Sequence, residues 1–286
     1  MSAGRIFILT ALTMCAFASN SILCRLALKE TSIDAASFTG IRIVSGAIAL
    51  WLIVIASKQA PAKAGSWFSA LALFVYAAGF SFAYLSLSAG TGALLLFGAV
   101  QATMIIWGLW KGERLSPRQS VGVALALGGL VVLLFPNISA PSLSGSALML
   151  GAGVAWGVYS LRGKSASDPI SATFGNFFRA VPMALVLCIA LLSRAKMDTM
   201  GIGYAILSGA IASGVGYAIW YTALPGLKAT SAATVQLSVP ALTAAGGILF
   251  LDEPMTLRLL FASLAILGGI ALVVIHRTKI SADAAS

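Results

Sequence analysis

The feature that most constrains this chain is a succession of uninterrupted apolar runs, each about as long as a bilayer is thick. Ten can be marked, at 6–25, 34–57, 67–89, 93–110, 119–135, 144–162, 171–193, 200–224, 229–251 and 257–276. A helix needs roughly 20 apolar residues to cross the hydrocarbon core. Backbone polar groups in lipid must be satisfied internally, so only helices or a closed barrel can span. Barrel strands alternate in polarity over about ten residues, whereas these runs are continuous and nearly twice that length. The expectation is an all-α membrane protein of ten transmembrane helices. Composition agrees: 59% of the 286 residues are hydrophobic, 9% are charged, and mean hydropathy is +0.99. Soluble domains carry roughly a quarter charged residues.

The net charge of +10 reads as membrane topology rather than as nucleic-acid binding. On one side of the spans fall eleven basic residues: Arg5, Lys58, Lys63, Lys111, Arg114, Arg118, Arg162, Lys164, Lys228, Arg277 and Lys279. On the other fall five: Arg25, Lys29, Arg194, Lys196 and Arg258. The richer side is expected to be cytoplasmic, with both termini inside a bacterial inner membrane. The connections carry turn residues, at Gly90-Thr91-Gly92, Pro136-Asn137, Asp168-Pro169, Pro225-Gly226 and Asp252-Glu253-Pro254. Cys15, Cys24 and Cys188 lie in apolar stretches without a spaced motif, and His276 is the single histidine. No metal, cofactor or disulfide framework is expected.

The chain also repeats itself. At an offset of 140 residues, Thr103, Leu109, Glu113, Arg118 and Gly128-Gly129 meet Thr243, Leu249, Glu253, Arg258 and Gly268-Gly269. At an offset of 137, Arg25 and Arg42 meet Arg162 and Arg179. The reading is two five-helix repeats, 1–140 and 141–286. Five is odd, so the second enters the bilayer from the opposite side, the inverted-topology arrangement that supports alternating access with a site near the midplane.

Two halves of five spans, each with a glutamate loop before a helix bearing Gly-Gly, resemble the EamA-type members of the drug/metabolite transporter superfamily. Within it the chain is most similar to YddG-type aromatic amino-acid exporters. That resemblance implies export of aromatic and other apolar amino acids through a cavity formed chiefly by helices 1, 3, 4, 6, 8 and 9.

Read from the residues, Tyr76, Phe80 and Tyr84 share a face of helix 3 at spacings of four. Helix 8 sets Ser213, Tyr217, Trp220 and Tyr221 together, and helix 6 adds Trp156 and Tyr159. Rings with polar tips suit a half-wet substrate cavity, and equally suit packing between helices. Gln101, Gln236 and Ser238 are uncharged polar groups within spans, suited to holding the polar end of an amino acid or to helix–helix hydrogen bonds. Asn20 is another, weighted toward a structural role. Pro240 supplies a kink or hinge, Pro182 a static kink. Arg42 and Arg179 read as structural ties to exposed carbonyls, and Glu113 and Glu253 as caps or partners of Arg118 and Arg258.

All eight acidic residues fall in loops or at span ends. Without a carboxylate inside a span, a neutral or zwitterionic substrate running down its own gradient is expected, with Asp34 the rim carboxylate left for proton coupling. Partners are then the small-molecule substrate and the lipid bilayer, the chain being a monomer or weak dimer. The competing readings are a drug exporter of the same superfamily and an integral-membrane enzyme. The second lacks a recognisable nucleophile–base pair or metal motif.

Overall fold

In the computed structural model, residues 1–57, 64–112, 114–135, 140–163, 168–227, 232 and 235–283 are described, with side chains to Val274. Glu113, the Pro136-Asn137 turn, Lys58, Lys63, Lys164, Lys228 and the side chains of His276, Arg277 and Lys279 lie outside them. The helices are α1 (Ala3–Glu30), α2 (Ala35–Ala56), α3 (Trp67–Ala83), α4 (Ala89–Trp110), α5 (Pro117–Leu134), α6 (Leu143–Gly163), α7 (Pro169–Ala190), α8 (Thr199–Gly226), α9 (Ser238–Leu251) and α10 (Leu257–Asp283). Among the described residues seven, α1, α2, α4, α5, α7, α8 and α10, are long and apolar enough to cross a membrane; α3 and α9 are shorter apolar helices.

Helix starts follow local chemistry. Ser66, Ser88, Ser116, Asp34, Asp168 and Asp198 are N-caps whose side chains accept backbone N–H groups of the first turn. Ser116 and Gln119 close a reciprocal capping box, and Pro117 and Pro169 occupy first-turn positions where a missing N–H costs nothing. One turn differs from expectation. Gly90-Thr91-Gly92 forms the first turn of α4, and the connection is the stretch after Tyr84, ended by Ser88. A side chain at Gly92 would strike the Tyr84 ring, and one at Gly90 would crowd Ala244 of α9. The glycines serve close packing.

Helix α8 changes winding along its length: Leu207–Val215 is π-helical between α-helical flanks. The helical segment ahead of α9 breaks at a turn on Leu237. Pro240 lacks the N–H that would bond the Gln236 carbonyl, which accounts for the break.

In lipid, helix association depends on close approach and polar contacts. Helices α5 and α10 pair through Gly122 against Gly269 and Gly129 against Ala265, so closely that a Cβ would clash. Around the centre, α1 packs on α8 and α9, α6 on α3 and α4, α2 on α7 and α8, α7 on α3, and α4 on α9. Large apolar side chains such as Val131, Val132, Phe261 and Leu264 remain exposed on the outer faces, as lipid contact requires.

Two short loops interlock at one end. Asp34 Oδ1 accepts from the N–H groups of Ala36 and Ser37, and Oδ2 from that of Lys196 at 3.0 Å. Asp198 Oδ1 accepts from Gly201 N–H at 2.8 Å, and Oδ2 from Ser32 N–H and Oγ–H at 2.8 and 2.9 Å. Partial burial pushes the Asp34 carboxyl up, but the hydrogen bonds from Ser37, Lys196 and Ala36 outweigh it and hold it below the ordinary carboxylate range. The Gly201 N–H, and then the Ser32 bonds, hold Asp198 low as well.

Candidate functional site

Four elements converge on a polar cluster at mid-depth. Helix α1 brings Phe17, Asn20 and Ser21 to one face by their spacing of three and four. Helix α3 brings Tyr76 and Phe80, α2 brings Arg42, and α8 brings Ser208, Ser213 and Tyr217. Ser208 and Ser213 are five residues apart, which would part them on an α-helix. The i→i+5 bonding of the π segment aligns them. Ser208 Oγ then donates to Asn20 Oδ1 at 2.6 Å, and Asn20 Nδ2 donates to the Tyr76 hydroxyl oxygen at 3.2 Å. Arg42 Nη2 donates to the same oxygen at 3.0 Å and reaches Ser213 Oγ at 3.5 Å. The guanidinium carbon lies 4.9 Å from the Phe80 ring centroid and 5.2 Å from that of Tyr76, within cation–π range.

Beside the cluster the rings form a cage. Trp156 of α6 has its centroid 4.8 Å from Tyr76, 5.1 Å from Tyr217 and 5.3 Å from Tyr159, against which it stacks. Phe17 and Phe177 meet the Tyr217 ring at 5.8 and 5.9 Å. The narrow cavity between them, about 20 Å³ in volume, is lined by Phe17, Asn20, Ser21, Tyr76, Phe80, Leu96, Phe97, Trp156, Ala212 and Tyr217. That is room for one water-sized molecule. Anything larger enters only as the rings move.

Of the residues singled out from sequence, Tyr76, Phe80, Trp156 and Tyr217 meet at this cavity. Tyr159 stands behind Trp156, beside Asn176 of α7. Tyr84 packs edge-on to Phe80 at 4.8 Å and donates to the Ala89 carbonyl, so it serves the α3–α4 turn. Tyr221 lies against Gly163 at the far end of α6. Gln101 is buried one turn beyond Phe97 on α4. Gln236 donates to Ala232 O, and Ser238 to Val235 O, both within their own segment. Asn20, Ser208 and Phe17 carry more of the site than their sequence context suggested. Arg42 departs furthest from expectation: it is 2% exposed and bonded to hydroxyls, whereas its repeat counterpart Arg179 donates to the carbonyls of Ala64 and Gly175 as a structural tie would.

Both ends of the cage are tied by arginines, Arg25 and Arg162, which lie 137 residues apart in sequence. At one end Arg25 donates to Glu253 Oε1 at 3.0 Å and to the Tyr84 carbonyl at 2.8 Å; Glu253 Oε2 accepts from Ala89 N–H at 2.7 Å. Glu253 therefore caps α4 rather than α10, and pairs with Arg25 rather than Arg258, which donates to the Phe135 carbonyl. Asp252 ends α9 in the left-handed region at φ 51° and turns Glu253 inward. At the other end Arg162 of α6 donates to Ser69 and Ser66 at the start of α3.

The apolar helices define a multi-pass membrane protein, and comparison with known proteins gives its kind. The profile of the EamA-like transporter family matches residues 143–275. Uncharacterized protein PA1977 of Pseudomonas aeruginosa is 54% identical over 274 residues, 96% of each chain. An uncharacterized transporter of Archaeoglobus fulgidus is 27% identical over 86% of this chain and 89% of its own. The threonine/homoserine exporter RhtA of Escherichia coli K12 is 33% identical over 57% of this chain and 58% of its own. A solved crystal structure shares the fold, with a TM-score of 0.63 at 16% identity, covering 94% of this chain and 98% of that one. Residues 143–275 of this chain thus carry an EamA-like transporter domain.

Proposed function

We propose that this transporter exports aromatic and other apolar amino acids, or similar small zwitterions, across a bacterial inner membrane by alternating access. The observation that carries the reading is the cavity of Tyr76, Phe80, Trp156 and Tyr217, because its rings come from α3 in one half of the chain and from α6 and α8 in the other. Rings from both halves suit an apolar side chain. Relative motion of the halves would open the cavity to one side or the other.

Two five-helix halves, 1–140 and 141–286, inverted in the bilayer with both termini inside, account for the helix pairing. Adding five to each helix number turns α1 on α9 into α6 on α4, α1 on α8 into α6 on α3, and α2 on α8 into α7 on α3. The pairs α2–α7, α4–α9 and α5–α10 map onto themselves. Amino-acid export is also the activity that RhtA, a threonine/homoserine exporter, is named for. Asp34 is fully hydrogen-bonded and held charged, which suits a brace better than a proton relay. We therefore favour movement down the substrate's own gradient.

The test is counterflow in proteoliposomes over a panel of amino acids. Exchange of labelled phenylalanine or methionine is expected, independent of an imposed pH gradient. Absence of flux for every amino acid would sink the substrate class, and flux that follows the pH gradient would sink the driving force.

A further inference from the structure

We propose that Arg42 is the receptor for a substrate carboxylate, which fixes the ligand as a monocarboxylate and sets cationic drugs aside. The proposal rests on the exporter reading above and names the chemistry of the same site. Arg42 sits two turns into α2, and a guanidinium keeps its charge. Its Nη2 meets only neutral hydroxyls, those of Tyr76 and Ser213. Its Nη1 is buried without a hydrogen-bond acceptor; the other unpartnered buried side-chain atoms among the described residues are the hydroxyls of Thr10, Ser146 and Thr243. The ion pairs among the described residues, Arg25–Glu253 and Lys29–Glu30, both lie at helix ends. A buried charge in lipid surroundings calls for a counter-charge, and the described residues around Arg42 supply none.

The guanidinium stands directly behind the cavity wall, where movement of the rings would admit one. The guanidinium lies against Tyr76 and Phe80, two rings that wall the cavity. The Tyr76 oxygen accepts from both Asn20 and Arg42, which leaves its own O–H proton to donate to a third group. Arg42 Nη1 and Tyr76 O–H are therefore two donors facing neutral surroundings, the pair that the two oxygens of a carboxylate require. Arg179, its match at the 137-residue offset, instead donates its Nη1 to two backbone carbonyls.

The experiment is competition against labelled L-phenylalanine counterflow by three probes: L-phenylalanine, L-phenylalaninamide, which lacks the carboxylate, and 3-phenylpropanoate, which lacks the ammonium. Thermal stabilisation of the detergent-purified full chain by the same probes is read in parallel. In the wild type, L-phenylalanine and 3-phenylpropanoate are expected to compete and stabilise, the amide about tenfold or more weakly, since a site built to hydrogen-bond a group rejects an analogue without it. Arg42→Gln is expected to erase that preference, and Arg42→Lys to retain it at lower affinity. If Arg42→Gln fails to fold, Tyr76→Phe is expected to narrow the ratio. Equal potency of amide and acid in the wild type, or a preference that survives Arg42→Gln, overturns the proposal. Carboxylate-dependent stabilisation without amino-acid flux would sink the exporter reading and leave the Arg42 site standing.

Discussion

At the scale of single residues, the site depends on a change of winding that no side-chain pattern announces. Ser208 and Ser213 face one cluster because Leu207–Val215 is π-helical. A reading at 3.6 residues per turn puts Ser213 with Tyr217 and leaves Ser208 elsewhere. Gly209 and Gly214 in this stretch are the feature that a sequence does show, and contact gives them meaning. A Cβ on Gly209 would collide with the Arg42 carbonyl oxygen and Ser45 Oγ, so α2 and α8 touch where Arg42 is presented. Gly209→Ala is expected to lower the denaturation midpoint in detergent, by an overpacking penalty of about 1–3 kcal/mol, and to reduce counterflow. Gly203→Ala, in the same helix with open space around its Cβ, is expected to be neutral or stabilising by up to about 1 kcal/mol. Equal effects of the two would show that the α2–α8 crossing does not set the site.

At the scale of elements, one carboxylate draws four segments together. Glu253 follows α9, pairs with Arg25 of α1 and caps α4, while Arg25 also holds the carbonyl of Tyr84 at the end of α3. The sequence shows Arg258 five residues from Glu253, whereas Arg25 is 228 residues away; local spacing favours the wrong partner, and only the packing of α1 on α9 corrects it. A half-buried ion pair at a closed end should report on closure. Cys24, fully buried and adjacent to Arg25, provides the probe. In a background with Cys15→Ser and Cys188→Ser, a membrane-impermeant maleimide added to intact cells is expected to leave Cys24 unmodified. Adding Glu253→Gln is expected to expose it. If Cys24 stays protected in that variant, the ion pair does not hold this end shut.

At the scale of the whole molecule, the all-helical membrane character was legible because apolar length is a one-dimensional quantity, while seven of the described helices are long and apolar enough to span. Which helices touch was not, since every face is apolar and lipid offers no polar contrast to mark the inward side. Arg42 and Arg179 match at an offset of 137 residues, yet they serve different ends, one among hydroxyls and one on carbonyls. The link between the α1–α2 and α7–α8 loops was invisible for the same reason of distance. Asp34 and Asp198 each cap the helix that follows, and each also reaches the opposite loop. That double use sets how the fold responds to acid. Both carboxyls are held below the ordinary value of 3.8 in the folded chain. A carboxylate depressed by folding contributes its full stability above its unfolded pKa, and loses it as pH falls through the lower folded value. The denaturation midpoint is therefore expected to be insensitive to these groups from pH 7 down to about 5, and to fall below about pH 4 as they protonate. Asp34→Asn with Asp198→Asn is expected to start from a lower midpoint at pH 7 and to show a shallower decline in acid. A double variant with the wild-type slope would mean that other groups carry the acid response, and that the two loops are not what joins the halves at this end.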